Sequence, residues 1–486
     1  MTVNDTTNSL TTRIIFGKNK TPQNEFNYRD LSKPVKDLDH DTYEFLCQAK
    51  PDMMSILHGN EESLLPYFPG YEFKNGKSTY KGFEVGEGGF VYAEPGVYGN
   101  VALLDIASMH PNSMLSECIF GPRYTNVFKD VVDARLHIKH ENWDVVNTML
   151  DDKLAPFVQR VLDGKMTSKS LADALKTAIN SVYGLTDAGF SNPFRDPRNV
   201  DNIVAKRGAL FMIDLLEEVK AREYTVVHIK TDSIKIADAT PEIIQFVMDF
   251  GKQYGYEFEH EATYEKLCLV NNAVYVAQDK SDKHWTATGT QFQVPYVFKT
   301  LFTHEPIMFD DLCETKAVSS ALYLDMNDGL PDVSFYEKLK FTRALEKSKG
   351  IEQCSKSDYK LLDEYKYISD EELDIKISEG HSYRFVGKVG QFCPMLPNSG
   401  GGELVRLMNI KTEDGQNKYA AATGSSGYRW LPSEEVKMRH LEDQIDRSYY
   451  AKLVDDARSA ILNYADADWF CSDEPYDQWR SPIWPF

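Results

Sequence analysis

The chain has 486 residues, an apolar fraction of 42% and a net charge of −20. That length suits two to four domains with a sizeable core, and no run of 18 consecutive apolar residues argues for a membrane role. The N-terminal text MTVNDTTNSLTTRIIF lacks a basic head followed by an apolar block, and the seven cysteines form no CxxC pair; both point away from a secreted, disulfide-stapled or zinc-bound protein and towards a reducing cytoplasm.

The acidity weighs against nucleic acid, whose phosphates repel an anionic chain. Charge is local, however. From residue 121 to 180 there are nine Lys/Arg against eight Asp/Glu, a net +1, while acid concentrates in runs such as 363–379. Composition alone favours a metabolic enzyme.

In chain order, the first 80 residues are polar and read as a support region with few long helices. GGFVYAEPGVYGNVALLD (88–105) places Gly/Pro punctuation before a buried strand at 101–104. Residues 127–180 carry apolar side chains at three- and four-residue spacing and read as helices, as does 204–222. YTVVHIKTDSIKIA (224–237) reads as strand, turn and strand with TDS at the bend, and a further strand pair is expected between Cys268 and Phe292. Residues 381–430 are rich in Gly, Tyr and short β-type runs. Residues 433–464 read as a long amphipathic helical region, and the acidic, aromatic segment beyond it reads as non-helical.

Two aspartates close apolar strands: Asp105 ends VALLD, and Asp232 lies in the turn of VVHIKTDSIKI. A lone strand-end Asp usually caps a turn. Phosphoryl transfer with two metal ions, however, needs carboxylates brought together from separate elements. The surrounding text decides between these readings, because it resembles the family B DNA polymerases. DIASMHPNSM matches the first palm motif, DxxSLYPS; KTAINSVYG (176–184) matches the fingers motif KxxxNSxYG without a gap; KTDS matches the second palm motif, DTDS. EGGFVYAEPGVYGN also resembles the lead-in to the first motif, and all appear in family order.

The resemblance implies an α+β, right-hand polymerase with an antiparallel-sheet palm, helical fingers and a C-terminal thumb. The expected division is a support region at 1–87, palm at 88–122 and 191–300, fingers at 123–190, and thumb and C-terminal region at 301–486. It implies a magnesium-dependent, template-directed DNA polymerase that uses two ions, for which manganese can substitute. Asp105, Asp232 and the Ile106 carbonyl would hold the ions. The amides of Ser108, Met109 and His110 would approach the triphosphate, and Lys176 would neutralise it. Asn180, one helical turn after Lys176, would line the nucleotide pocket with Tyr183, and Gly184 would permit close approach. Arg135 and Lys139 are further phosphate contacts, for which a plain surface pair is an equal alternative. The implied partners are primer–template DNA and dNTPs.

Three departures stand out. Lys230 replaces the first Asp of DTDS; His110 stands where the family has the Tyr that excludes a ribose 2′-hydroxyl; Asn271 and Asn272 fall near lysines expected to grip the primer, a role left to Lys266 or Lys299. Only 104 residues precede Asp105, and nothing in them resembles FDIET or YxxxD. The expectation is therefore a phage-like polymerase portion without its own 3′-5′ exonuclease. The aromatic C-terminal tail, with Trp469, Phe470, Trp479, Trp484 and Phe486, is expected to dock on a clamp, a processivity factor or a separate exonuclease, with packing onto its own chain as the rival. Two other functions stay open: a non-catalytic replisome scaffold, and a primase- or reverse-transcriptase-type polymerase.

Overall fold

The computed structural model describes residues 72–478, apart from 75–76, 86–87, 118, 120, 187, 189–202, 328, 350–354 and 412–416. The expected support region at 1–87 therefore lies mostly outside the described residues. The architecture is mixed helix and antiparallel sheet, in two compact units: 72–288 with 463–478, and Gly289–Leu462. The second unit therefore starts at Gly289 and ends at Leu462, whereas the sequence predicts one region over 301–486.

The first unit opens with a three-stranded sheet, β1 (Glu72–Lys74), β2 (Lys77–Tyr80) and β3 (Phe83–Val85). Its main sheet contains β4 (Val91–Ala93), β5 (Gly96–Ile106), β6 (Val226–Lys230), β7 (Ser233–Ile236), β8 (Phe258–Asn271), β9 (Val274–Asp279) and β10 (Trp285–Thr288), ordered β10-β9-β8-β5-β7-β6-β4 with every pairing antiparallel. Strand β5 is central, and its GVYGNVALLDI text is buried almost throughout. Alternate side chains enter opposite cores, as a pleated strand dictates. Ala102, Leu104 and Ile106 join one cluster; Val101 and Leu103 join another with Val227, Tyr264 and Leu267.

Helices α1 (Met109–Ser116), α2 (Gly121–Lys139), α3 (Trp143–Thr148), α4 (Ala155–Leu162), α5 (Ser168–Thr186), α6 (Ile203–Lys220) and α7 (Pro241–Gln253) complete this part of the unit. Helix α2 serves two cores. Phe128, Val131 and Val132 pack towards the sheet, while Ala134 and Ile138 pack with α3, α4 and α5 through Val146, Val158 and Leu171. Helix α5 does the same in reverse, with Leu171 and Ala172 in the helical cluster and Ile179, Val182 and Leu185 in the sheet cluster.

The second unit is built on an antiparallel sheet of β11 (Glu314–Asp325), β12 (Tyr383–Met395), β13 (Glu403–Lys411), β14 (Asn417–Ala421) and β15 (Arg429–Pro432), in the order β14-β13-β11-β12-β15. Between β11 and β12 run helices α8 (Ser334–Lys349), α9 (Lys356–Glu364) and α10 (Asp370–Ser378). The region expected as one long helical stretch is broken: α11 (Ser433–Met438) and α12 (Arg447–Leu462) are separated by left-handed His440 and a 3-10 turn at Glu442–Gln444. Asp446 starts the second helix by accepting from the Ser448 amide at 3.0 Å. Trp430 is fully buried with Phe392, Leu431 and Tyr450, so part of the interleaved aromatic and basic text of 381–430 builds a β core, whereas Tyr383 and Phe385 at the start of β12 are exposed. Two of its cations are engaged locally, Arg384 with Glu435 and Arg429 with Asn327, as are Lys437 with Asp310 and Arg439 with Glu435 farther along.

The segment after 464 also departs from expectation. Asp466 caps a short helix, Ala467–Cys471, by accepting from the Trp469 amide at 2.7 Å. Trp469 and Phe470 are buried within the first unit. Lys266, expected to grip a primer, is instead fully buried and donates to the carbonyls of Ser472 at 2.6 Å and Trp469 at 3.3 Å; desolvation pushes its ammonium down to about 8. These two aromatic rings are thus engaged by their own chain, while Trp479, Trp484 and Phe486 lie outside the described residues. Lys299 pairs with Asp311 at 2.8 Å. No helix among the described residues is long and apolar enough to cross a membrane.

Candidate active site

Asp105 and Asp232 reach the same cleft because of strand pairing. Strand β5 lies antiparallel to β7 with Asp105 opposite Ser233, and the Ile106 amide donates to the Asp232 carbonyl at 2.9 Å. Asp232 sits in the two-residue turn between β6 and β7, whose other member, Thr231, is left-handed at φ 57°. That turn is held from outside, since the Thr231 amide donates to the Phe90 carbonyl at 2.9 Å. Gly89 is needed beneath it: at φ +101° an added Cβ would stand 3.0 Å from the Thr231 methyl.

After Asp105 the chain turns sharply into α1. Ser108 adopts φ 63° at the helix N-cap, the Ala107 amide donates to Glu257 at 2.8 Å, and Asn112 Nδ2 donates to the Ala107 carbonyl at 2.7 Å. The first-turn amides of a helix have no partner inside it; Pro111 carries none, and Ser108, Met109 and His110 line the cleft with Asp105. Met109 contributes backbone only. Its side chain is buried against Gly208 of α6, where an added Cβ would meet Met109 Sδ at 2.5 Å. Ile106 is likewise buried in the core by its side chain.

The resulting cleft encloses about 300 Å³. Of the residues singled out from sequence, Asp105, Ile106, Ser108, Met109, His110, Arg135, Lys139, Lys176, Asn180 and Asp232 all line it. Lys176 and Asn180 project from one face of α5, four residues apart. Tyr183, a further turn on, stacks on His110 with centroids 4.4 Å apart and planes 9° from parallel. It therefore buttresses the wall instead of lining it. Gly184 is exposed, with no atom within 4 Å of an added Cβ. Arg135 donates to Ser108 Oγ at 3.0 Å, and Lys139 pairs with Glu259 at 2.9 Å.

Three residues of the cleft region escaped the sequence reading. Glu259 and Glu261 line it from β8, where Glu259 lies opposite Asp105. Lys235 of β7 is buried behind it, 4.7 Å from the centre of the Tyr275 ring and 3.4 Å from His228 Nδ1. The acid-rich text EFEHEATYEK (257–266) was a visible signal, but its register against β5 was not. Asn271 and Asn272, near where primer-binding lysines were expected, end β8 and start the β8–β9 turn instead, and the Asn271 side chain accepts from the Ala273 amide at 2.9 Å.

The electrostatics are those of a crowded anionic floor. Burial, then the charge of Asp232 and that of Glu261, pushes the Asp105 carboxyl up to about 7. Burial also raises Asp232, against the opposing pull of His110 and Lys176. Desolvation lowers His110 and brings Lys235 down to about 8 despite nearby Asp105. Two carboxylates repelling each other in a desolvated cleft are relieved by a divalent cation. Among the described residues no three His, Cys, Asp or Glu side chains gather as a metal-binding group. A carboxylate pair with a peptide carbonyl suits magnesium, which takes one or two carboxylates and fills its remaining positions with phosphate and water.

No protein-family model matches the chain, and no curated protein does. Among solved structures it is similar to the family B DNA polymerase from the hyperthermophilic archaeon Pyrobaculum calidifontis, with 14% identity and a TM-score of 0.36 over 84% of this chain and 51% of that one. The chain spans about half the length of that structure.

Proposed function

We propose that this chain is a template-directed DNA polymerase that adds deoxynucleotides to a primer 3′ end by two-metal nucleotidyl transfer. One observation carries the reading. Asp105, Ser108–His110, Arg135, Lys139, Lys176, Asn180 and Asp232, drawn from text spread over more than a hundred residues, line one cleft of about 300 Å³. In this reading the seven-stranded sheet is the palm, α2 to α5 the fingers, and Gly289–Leu462 the thumb region.

Asp105, Asp232 and the Ile106 carbonyl would hold magnesium, which when bound activates the primer hydroxyl and steadies the leaving oxygen. The chain's own residues do the positioning. Lys176 and Arg135 bring positive charge to the triphosphate, and the first-turn amides of α1 supply further donors. Asn180 orients the nucleotide. The His110–Tyr183 stack forms a flat, rigid wall for the sugar, since parallel rings in contact hold each other's orientation.

Primer extension tests this. Purified protein receives primed template, magnesium and either deoxy- or ribonucleotides, beside Asp105→Ala and Asp232→Ala variants. Extension with deoxynucleotides that disappears in both variants is the expected result. DNA binding with no extension by the wild type would establish a scaffold instead, and preference for ribonucleotides a primase-type enzyme.

A further inference from the structure

The ion pair between Lys139 and Glu259 crosses the mouth of the candidate site. Lys139 ends α2, Glu259 lies on β8 opposite Asp105, and both line the cleft. The ammonium donates to both carboxylate oxygens, at 2.9 and 3.2 Å. One turn earlier on the same helix, Arg135 donates to Ser108 Oγ at 3.0 Å. The C-terminal end of α2 is therefore tied to the chain at both sides of Asp105: to the turn that follows it, and to the strand that pairs with it.

These two ties respond differently to an arriving anion. Arg135 has guanidinium donors left over after Ser108, so it can meet a phosphate without giving that bond up. Lys139 is a point charge already facing a carboxylate. A triphosphate oxygen and Glu259 are both anionic acceptors, and each good contact with one weakens the other.

We propose that Glu259 is an internal competitor for the triphosphate: it holds Lys139 while the site is empty and is displaced from it when a nucleotide binds. The idea rests on the polymerase reading and deepens it. Glu259 thereby sets how tightly the site takes its substrate, because part of the attraction between Lys139 and phosphate replaces an attraction already present. Both side chains are partly solvated, at 48% and 38% exposure, so the exchange is inexpensive and fast, as a step repeated at every nucleotide requires.

The test is a double-mutant cycle on nucleotide affinity, read without chemistry. A dideoxy-terminated primer annealed to template carrying a fluorescent base analogue is titrated with the complementary dNTP and magnesium. The proteins are the full chain, Glu259→Gln, Lys139→Met and the double variant, all first shown to be folded by circular dichroism. Expected are a Kd for Glu259→Gln about threefold below wild type, the scale of an exposed ion pair, and a clearly smaller change when Glu259→Gln is made on the Lys139→Met background. An equal change on both backgrounds means that Glu259 acts only as a distant charge and overturns the proposal. No change in Glu259→Gln overturns it as well. If the wild type binds DNA but no nucleotide up to millimolar concentration, the polymerase reading itself fails and the competitor role with it.

Discussion

The backbone of Ile106 is hydrogen-bonded to that of Asp232, amide to carbonyl at 2.9 Å. This one contact joins the end of a strand to a turn more than a hundred residues away and fixes the bases of both acidic side chains. The candidate site is thus assembled by sheet pairing, and rigid backbone elements hold chemistry more accurately than loops do.

Replacing either carboxylate by an amide of the same shape keeps this pairing and removes the charge. Asp105→Asn and Asp232→Asn should each lower primer extension by about a thousandfold or more, the scale of losing several kcal/mol of charge stabilisation. Circular dichroism should be unchanged. Extension within about tenfold of wild type in either variant would remove that residue from the proposed mechanism.

The same carboxylate should weaken the folded state when no metal is bound. Asp105 has its carboxyl raised to about 7, above the unfolded value of about 3.9, so the folded protein disfavours the ionised form. That cost is absent below about pH 4 and complete above about pH 7. Asp105→Asn should therefore melt above wild type in chelator at pH 8, with the difference shrinking as the pH falls towards 5. Magnesium should raise the wild-type melting temperature more than that of the variant. A variant that melts below wild type in chelator at pH 8 contradicts the crowded-carboxylate account.

In the second unit, His381 bonds Asp325 through Nδ1 and pairs with Glu337 at 3.3 Å through Nε2. The Asp325 contact, outweighing burial, raises the imidazole above its ordinary value. A raised histidine contributes stability that is fully present below the unfolded value of about 6.5 and is lost as pH climbs through the folded one. His381→Asn should accordingly destabilise more at pH 6 than at pH 9, as read from urea midpoints. Equal losses at both pH values would mean that packing, not charge, is what His381 supplies.

Arg207 and Glu117 form an ion pair 2.9 Å long whose side chains are 2% and 0% exposed, tying α6 to the end of α1. Arg207 also donates to the Tyr254 carbonyl at 3.0 Å. Breaking a buried pair strands a charge, whereas replacing both partners with apolar residues is often neutral. Glu117→Gln should cost about 3 to 5 kcal/mol, and the Glu117→Leu, Arg207→Met double variant should recover most of it in chemical denaturation. A double variant as unstable as the single would show that hydrogen bonds, not the uncompensated charge, dominate there.

What the sequence determined by itself was local. Apolar alternation marked the strand ending at Asp105, a three- and four-residue period put Lys176 and Asn180 on one helix face, and the TDS bend located Asp232. Each depends on residues within a turn or two, where periodicity is a direct readout of geometry. The tertiary structure alone decided the rest. Glu259 entered the cleft through the register of β8 against β5, Lys266 left the surface because the segment beyond Asn463 folds over it, and Tyr183 became a support once α1 delivered His110 to its ring. Pairing register and burial depend on energies shared among segments far apart in the chain, and one residue of slip would turn every side chain of a strand to its other face.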